Sequence, residues 1–301
     1  MPEITSNACK LFANDSKLIA TVKNRLDQLK IQDDIDRLVE WSNKWQMRFN
    51  QDKCKVMNIG NQRLLPFTYS MVNGTESRTE LAETTIEKDL GVLIRNDLSY
   101  NEQISSAILK ANGVLSMLKR TFKYWTAFNF RKLYCAFVRP HLEYCTAIWN
   151  PHKRKDIRAL EKVQRRATKL VPEVRDLNYE SRLANIGITT LESRRERGDL
   201  IQCFKIYKKI TPVSLHGFRN LGQNYLGEGP AASIRRSSHH ITKQICSNSR
   251  RNNFFTNRIA NAWNELPDSI VNSVTINRFK NKLDKFKDQQ SNQVSTIAVQ
   301  R

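Results

Sequence analysis

The stretch Leu11-Phe12-Ala13-Asn14-Asp15-Ser16-Lys17-Leu18 sets the polar pair Asn14-Asp15 within an apolar run. Asn and Asp side chains hydrogen-bond nearby backbone groups and favour turns, so the pair reads as a turn between short extended segments. The spelling carries a second reading. Two adjacent carboxylates at a strand turn would present anionic oxygen to hard divalent cations. Asp15 keeps one such carboxylate, whereas Asn14 offers a carbonyl without charge.

Working outward, residues 25–49 read as a helix. Leu26, Leu29, Ile35, Leu38, Val39 and Trp45 recur at helical steps, with Asp33, Asp34 and Asp36 near the start. Trp41 and Trp45 read as core residues. A turn at Phe49–Lys53 leads into a short strand over Cys54–Gly60, and a hairpin follows, Phe67–Val72 turning at Asn73-Gly74. Leu90–Ile94 is a further strand, so the first hundred residues are α+β.

Beyond Asp97 the pattern is almost wholly helical. Ser99 and Glu102 spell a capping box before the stripe Ile104, Ala107, Ile108, Ala111, Leu115 and Leu118, which runs to Phe122. Residues 127–138 and 141–150 predict two helices separated at Pro140. In the helix predicted over 153–170, Ile157, Leu160, Val163, Ala167 and Leu170 form the face to be buried. Arg158, Lys162, Arg165, Arg166 and Lys169 form a basic stripe on the other side. Such a stripe suits a phosphate backbone, and it also suits a plain solvated face. A helix near 190–210 starts at Thr189 with Glu192 three residues on, and carries Arg194, Arg195 and Arg197. Residues 211–249 read as a long irregular connection containing Arg235-Arg236 and His239-His240. Helical order returns at 250–287, with Phe254, Phe255, Ile259, Trp263 and Leu266 on one face and Phe279, Leu283 and Phe286 on another.

Charge is distributed unevenly along the 301 residues, whose formal net charge is +21. Residues 1–109 hold 14 Lys/Arg against 15 Asp/Glu, while residues 110–210 hold 23 against 9. An excess this concentrated costs stability by self-repulsion unless a polyanion neutralises it, so nucleic acid is the first partner to consider and an anionic membrane surface the second. Six cysteines without a C-x-x-C pair suggest neither a zinc site nor a disulfide framework and fit a reducing compartment. No run is long enough to span a membrane, and the N-terminus does not spell a signal peptide, which predicts an intracellular, non-secreted chain in nucleus or cytoplasm. His141, His152 and His239-His240 read as satisfied or exposed histidines rather than metal ligands.

Several ordered motifs carry a family resemblance. They are Lys10–Leu18; Trp41-Ser42-Asn43-Lys44-Trp45 through Asn50, with Asp52-Lys53-Cys54-Lys55; Glu87-Lys88-Asp89-Leu90-Gly91-Val92; and Val138-Arg139-Pro140-His141-Leu142-Glu143-Tyr144. Leu160–Lys169, Arg197-Gly198-Asp199-Leu200 and Trp263-Asn264-Glu265-Leu266-Pro267 follow. Together they resemble the C-terminal half of the reverse transcriptase of LINE-type, non-LTR retrotransposons of the jockey-like group, from about Cys9 to Phe286.

The resemblance implies an α+β fold: a partial polymerase palm of short strands plus a helix over 1–100, then a mainly α-helical thumb over 101–170. A basic helical C-terminal extension over 171–287 and a frayed tail over 288–301 would complete it. It matches Phe12-Ala13-Asn14-Asp15 to the metal motif of the palm, with Asp15 as the remaining metal-binding carboxylate and Asn14 where an aspartate is expected. Lys53 matches a palm lysine that acts as a proton donor to pyrophosphate or as a phosphate contact. The strand Leu90–Ile94 matches the primer-gripping hairpin, and Arg158, Lys162, Arg165, Arg166 and Lys169 would face the template–primer duplex. The implied partners are RNA, RNA–DNA hybrid or DNA, with no membrane. The implied cofactor of the parent family is Mg2+, not bound productively here because one carboxylate is replaced and the fingers and the other palm aspartate would lie before Met1. Three readings stay open: part of an RNA-directed DNA polymerase inactive by itself, a non-catalytic nucleic-acid-binding protein, and a translated transposon remnant without selected function.

Overall fold

The computed structural model describes residues 2–60, 66–72, 77–211, 213 and 239–299, with side chains described as far as residue 290. It is a mixed α and β structure that divides into two compact units, Met1–Ser99 and Tyr100–Arg301. The turn expected at Asn73-Gly74 and the pair Arg235-Arg236 lie outside the described residues.

In the first unit, β1 (Ala8–Phe12) and β2 (Asp15–Ile19) form an antiparallel hairpin pairing Phe12 with Asp15. Its two-residue loop is therefore Ala13-Asn14, and Ala13 takes a φ of +51°, as the first position of a tight hairpin turn requires. The helix α1 spans Arg25–Lys44, five residues shorter than expected at its C-terminal end. Gln46 adopts φ +57° while its N–H reaches Asn43 O and the Met47 N–H reaches Ser42 O, a Schellman cap that ends the helix. Because the helix starts at Arg25, Asp33, Asp34 and Asp36 sit mid-helix rather than near its start, and Asp27 occupies the first turn.

The burial expected of α1 is also corrected. Leu38 and Val39 are buried, but Leu26, Leu29 and Trp45 are exposed, and Gln28, Asp34 and Ser42 take buried positions. Asp34 accepts hydrogen bonds from the Ser6 N–H (2.7 Å), the Asn7 N–H (2.8 Å), Asn7 Nδ2 (2.8 Å) and the Ser6 hydroxyl, tying the N-terminal segment to the helix. Gln32 uses both ends of its amide on Ser70, donating to the carbonyl at 2.8 Å and accepting its N–H at 2.9 Å.

Short pairs complete this unit: β3 (Lys55–Val56) with β6 (Ala82–Glu83) in parallel, β4 (Ser70–Val72) with β5 (Arg78–Glu80) antiparallel, and β7 (Ile86–Asp89) with β8 (Val92–Arg95) antiparallel. Leu90-Gly91, expected to open a strand, is the two-residue turn between β7 and β8, with φ of +45° and +87°. Positive φ at both positions is the hairpin geometry that favours glycine second.

The second unit is helical among its described residues. The stripe of α2 (Asn101–Thr121) buries Ile104, Ala107, Ala111, Leu115 and Leu118 as expected, with Phe122 exposed just beyond it. The expected capping box does not form. Leu98 turns at positive φ, the Ser99 N–H is taken by Asp97 Oδ1 at 2.9 Å, and Tyr100 is the N-cap. Nor does Pro140 separate two helices. A π turn over Tyr134–Val138 joins α3 (Ala127–Leu133) to α4 (Arg139–Glu143), in which Pro140 lies in the first turn. Proline has no N–H for the α-helical ladder, and the wider turn, with Arg139 N–H on Tyr134 O, absorbs the mismatch. The chain breaks later, where Cys145 takes φ +53° before α5 (Thr146–Trp149).

Next come α6 (Arg154–Thr168), α7 (Tyr179–Ile186) and α8 (Leu191–Tyr207), whose N-cap is Thr190 rather than Thr189 and accepts the Ser193 N–H at 3.1 Å. After α9 (Ser249–Asn252), α10 (Phe255–Asn264) and α11 (Asp268–Val271), α12 spans Ile276–Val299, well into the tail expected to fray. That segment contains neither Gly nor Pro to stop it. Leu200, Phe204, Ile259, Trp263, Phe279 and Leu283 lie at the centre of a core built by α8, α10 and α12, whereas Phe254 is exposed at the N-cap of α10.

Candidate nucleic-acid interface

Of the face of α6 expected to be buried, Leu160, Val163 and Ala167 are buried and Ile157 and Leu170, the latter just past the helix, are half-buried, while Arg158, Lys162, Arg165, Arg166 and the C-cap Lys169 are all exposed. At ~100° per residue these five fall within an arc of about 100°, on one side of the helix. Arg154 and Lys155, also exposed, extend the same side and were not singled out from sequence. Their spacing of four and three residues from Arg158 was the available signal. From Arg154 to Lys169 the row is roughly 22 Å long at 1.5 Å per residue. Among the described residues none of the five original cations forms an ion pair. Arg154 lies 3.8 Å from Glu192, both side chains well exposed.

What holds this row in place is polar and lies on the inner face. Gln164 accepts from the Tyr134 hydroxyl at 2.8 Å and its amide lies 2.9 Å from the Tyr179 hydroxyl and 3.0 Å from Thr189 O. Tyr179 donates to Glu161, whose carboxylate also accepts the Leu191 N–H at 3.1 Å. Glu161 thereby supplies a negative charge to the first turn of α8, where the helix dipole favours it. Burial, reinforced by the bond to Glu161, pushes the Tyr179 phenol far above its ordinary pKa, and burial does the same to Tyr134. On the outer side the Tyr179 ring carries the Arg165 guanidinium 4.0 Å from its centroid. Stacking of this kind leaves the in-plane N–H donors of arginine available to phosphate. Arg166 is hydrogen-bonded to Asn112 of α2.

The arginines of α8 do something different. Arg194 pairs with Glu143 (Nη2–Oε2 3.0 Å), and that bond, outweighing burial, raises its pKa. Arg197 pairs with Asp284 at 2.6 and 2.8 Å. Arg195 is buried beside Asn150, and desolvation pushes its pKa down. Buried Asp199 receives both Nε and Nη2 of Arg258 at 2.9 Å and Asn150 Nδ2 at 2.9 Å. These charges join helices rather than form an external surface.

The residues of the expected metal motif lie in the first unit. Asn14 is in the β1–β2 turn and Asp15 opens β2, exposed. Neighbouring Lys17 pairs with Asp89 of β7. Lys53 ends a short 3-10 turn over Gln51–Lys53 and is exposed. Among the described residues no group of three or more His, Cys, Asp and Glu side chains is gathered as metal ligands. A neutral amide and one exposed carboxylate do not fit Mg2+, which is held through carboxylates and phosphate oxygens in near-octahedral geometry. His239, placed among satisfied or exposed histidines, is buried with Nδ1 3.0 Å from Asp268 Oδ1. No described helix is long and apolar enough to cross a membrane. No protein-family profile, curated protein or solved structure matches the chain.

Proposed function

We propose that this chain corresponds to the end of the palm, the thumb and the C-terminal extension of a non-LTR retrotransposon reverse transcriptase, and that it binds a template–primer duplex without polymerising DNA by itself. On this reading the first unit is the palm portion and residues 101–170 are the thumb. The observation that supports it best is the outer face of α6, with five exposed cations in one arc and no ion pair among the described residues. Such a row neutralises phosphates regardless of base sequence, each contact adding about −0.9 to the slope of log K against log salt. The ordered motifs from Lys10 to Pro267 add the family expectation, and intracellular action in nucleus or cytoplasm belongs to the same reading.

The test is a salt series of binding to an RNA–DNA hybrid by the full chain and by Arg165→Ala/Arg166→Ala. The expected result is tight, salt-sensitive binding whose slope falls by about 2 units in the double variant. Weak binding indifferent to both arginines would end the proposal. Template-dependent nucleotide incorporation by the purified chain would overturn its non-catalytic half.

A further inference from the structure

The link between α2 and α3 combines two properties found together nowhere else in the interface described above. Between Glu102 and Glu143 the sequence has seven Lys/Arg and no Asp or Glu. Within that stretch Tyr124 is 86% exposed and Phe128 69%, with Phe122 at 38%. Arg120 and Lys123 are exposed beside them and form no ion pair among the described residues, and Lys132 lies 4.2 Å from the centroid of the Phe128 ring.

The backbone that carries these rings is tied down by hydrogen bonds. Thr126 and Asn129 form a reciprocal capping box at the start of α3, and Asn129 Nδ2 also holds the Tyr124 carbonyl at 2.9 Å. Beneath them Trp125 packs edge-on to Phe122 (6.0 Å) and Phe130 (6.1 Å), and Phe130 stacks on buried Tyr134 at 5.4 Å. Exposed aromatic surface usually costs solubility without return, so exposed rings in a stretch that carries only cations point to a planar, anionic partner.

We propose that the α2–α3 link is a second nucleic-acid site, one that takes single-stranded nucleic acid by stacking unpaired bases on Tyr124 and Phe128 while Arg120, Lys123 and Lys132 neutralise its phosphates. It differs in kind from the α6 row, which offers cations without exposed rings. An anionic lipid surface is the competing partner. Between Leu118 and Leu133, however, every exposed large apolar side chain is aromatic. Stacking needs rings, whereas lipid accepts aliphatic side chains equally well.

The deciding experiment measures binding of the full chain to a fluorescent oligothymidylate of about a dozen nucleotides, to an abasic oligomer of equal length, and to phosphatidylserine vesicles. Tyr124→Ala/Phe128→Ala should weaken oligothymidylate binding by about tenfold or more and leave the abasic oligomer unaffected. Tyr124→Leu, which keeps apolar bulk and removes the ring, should show part of the same loss. Arg165→Ala/Arg166→Ala should leave the ratio of oligothymidylate to abasic affinity unchanged, so failure of the α6 reading is told apart from failure of this one. Equal affinity of the wild-type chain for both oligomers, or loss in the variants confined to vesicles, would overturn the site.

Discussion

The two units are stabilised by different means. In Met1–Ser99 the buried apolar residues are few, and Leu11, Phe12, Ile19, Leu26, Leu29, Trp45 and Met47 remain exposed. Hydrogen bonds on single side chains, Asp34 accepting from Ser6 and Asn7 and Gln32 exchanging a pair with Ser70, connect its short elements. In Tyr100–Arg301, fully buried side chains such as Phe130, Trp149, Leu160 and Trp263 accompany polar groups bonded between helices, among them Gln164, Glu161 and Asp199. Short strands cannot enclose a core, whereas long amphipathic helices can present whole faces to one another. Basic surface is therefore carried by the unit whose interior can hold it in place.

The comparison breaks hardest at the helical core. Trp263→Ala should cost about 3–5 kcal/mol in urea unfolding, because a large ring leaves a cavity and the bond to His239 O is lost. Arg258→Ala should cost a similar ~3–5 kcal/mol by stranding the buried Asp199 carboxylate, and Arg258→Ala with Asp199→Ala should recover part of it. In the first unit, Asp34→Ala should cost about 1–3 kcal/mol and raise proteolysis before α1.

Asp34 also predicts a pH dependence. Burial alone would raise its carboxyl, but the bonds from Ser6 and Asn7 outweigh it and hold the pKa below the ordinary range. Its stabilising contribution is therefore present above the unfolded value of about 4 and is lost as pH falls through the lower folded value. Stability of the first unit measured across that acid range should lose this component in Asp34→Asn. The smallest effect is expected at Leu26→Ala, within about 0.5 kcal/mol, since Leu26 is 60% exposed. A cost above about 2 kcal/mol would mean that this face is covered in solution.

Legibility in sequence followed element length. The 15 residues of α6 showed both faces in their spacing, because burial there follows the helical period. Pairs as short as Lys55–Val56 with Ala82–Glu83 left no period to read. Cap positions at Ser99 and Thr189 each lay one residue too early, where nearby backbone groups were already claimed by Asp97 and Gln164. Leu26 and Leu29 kept helical spacing yet faced outward, since tertiary bonds to Asp34 and Gln32 set the rotation of α1. The cations of α6 were legible as a stripe, but Tyr179 beneath Arg165 was not, being brought there by a different helix.

The two faces of α6 carry a consequence for how such a chain changes over generations. Inner residues Glu161 and Gln164 are bound to three neighbouring segments, so replacing them exposes the molecule to loss of the folded state. Arg158, Lys162 and Lys169 on the outer face are exposed and contribute little to folding, so substitutions there would pass unnoticed by any selection acting on stability. If the row holds nucleic acid as proposed, that capacity can be lost one charge at a time while the protein continues to accumulate normally, and a lineage would retain the shape long after losing the grip.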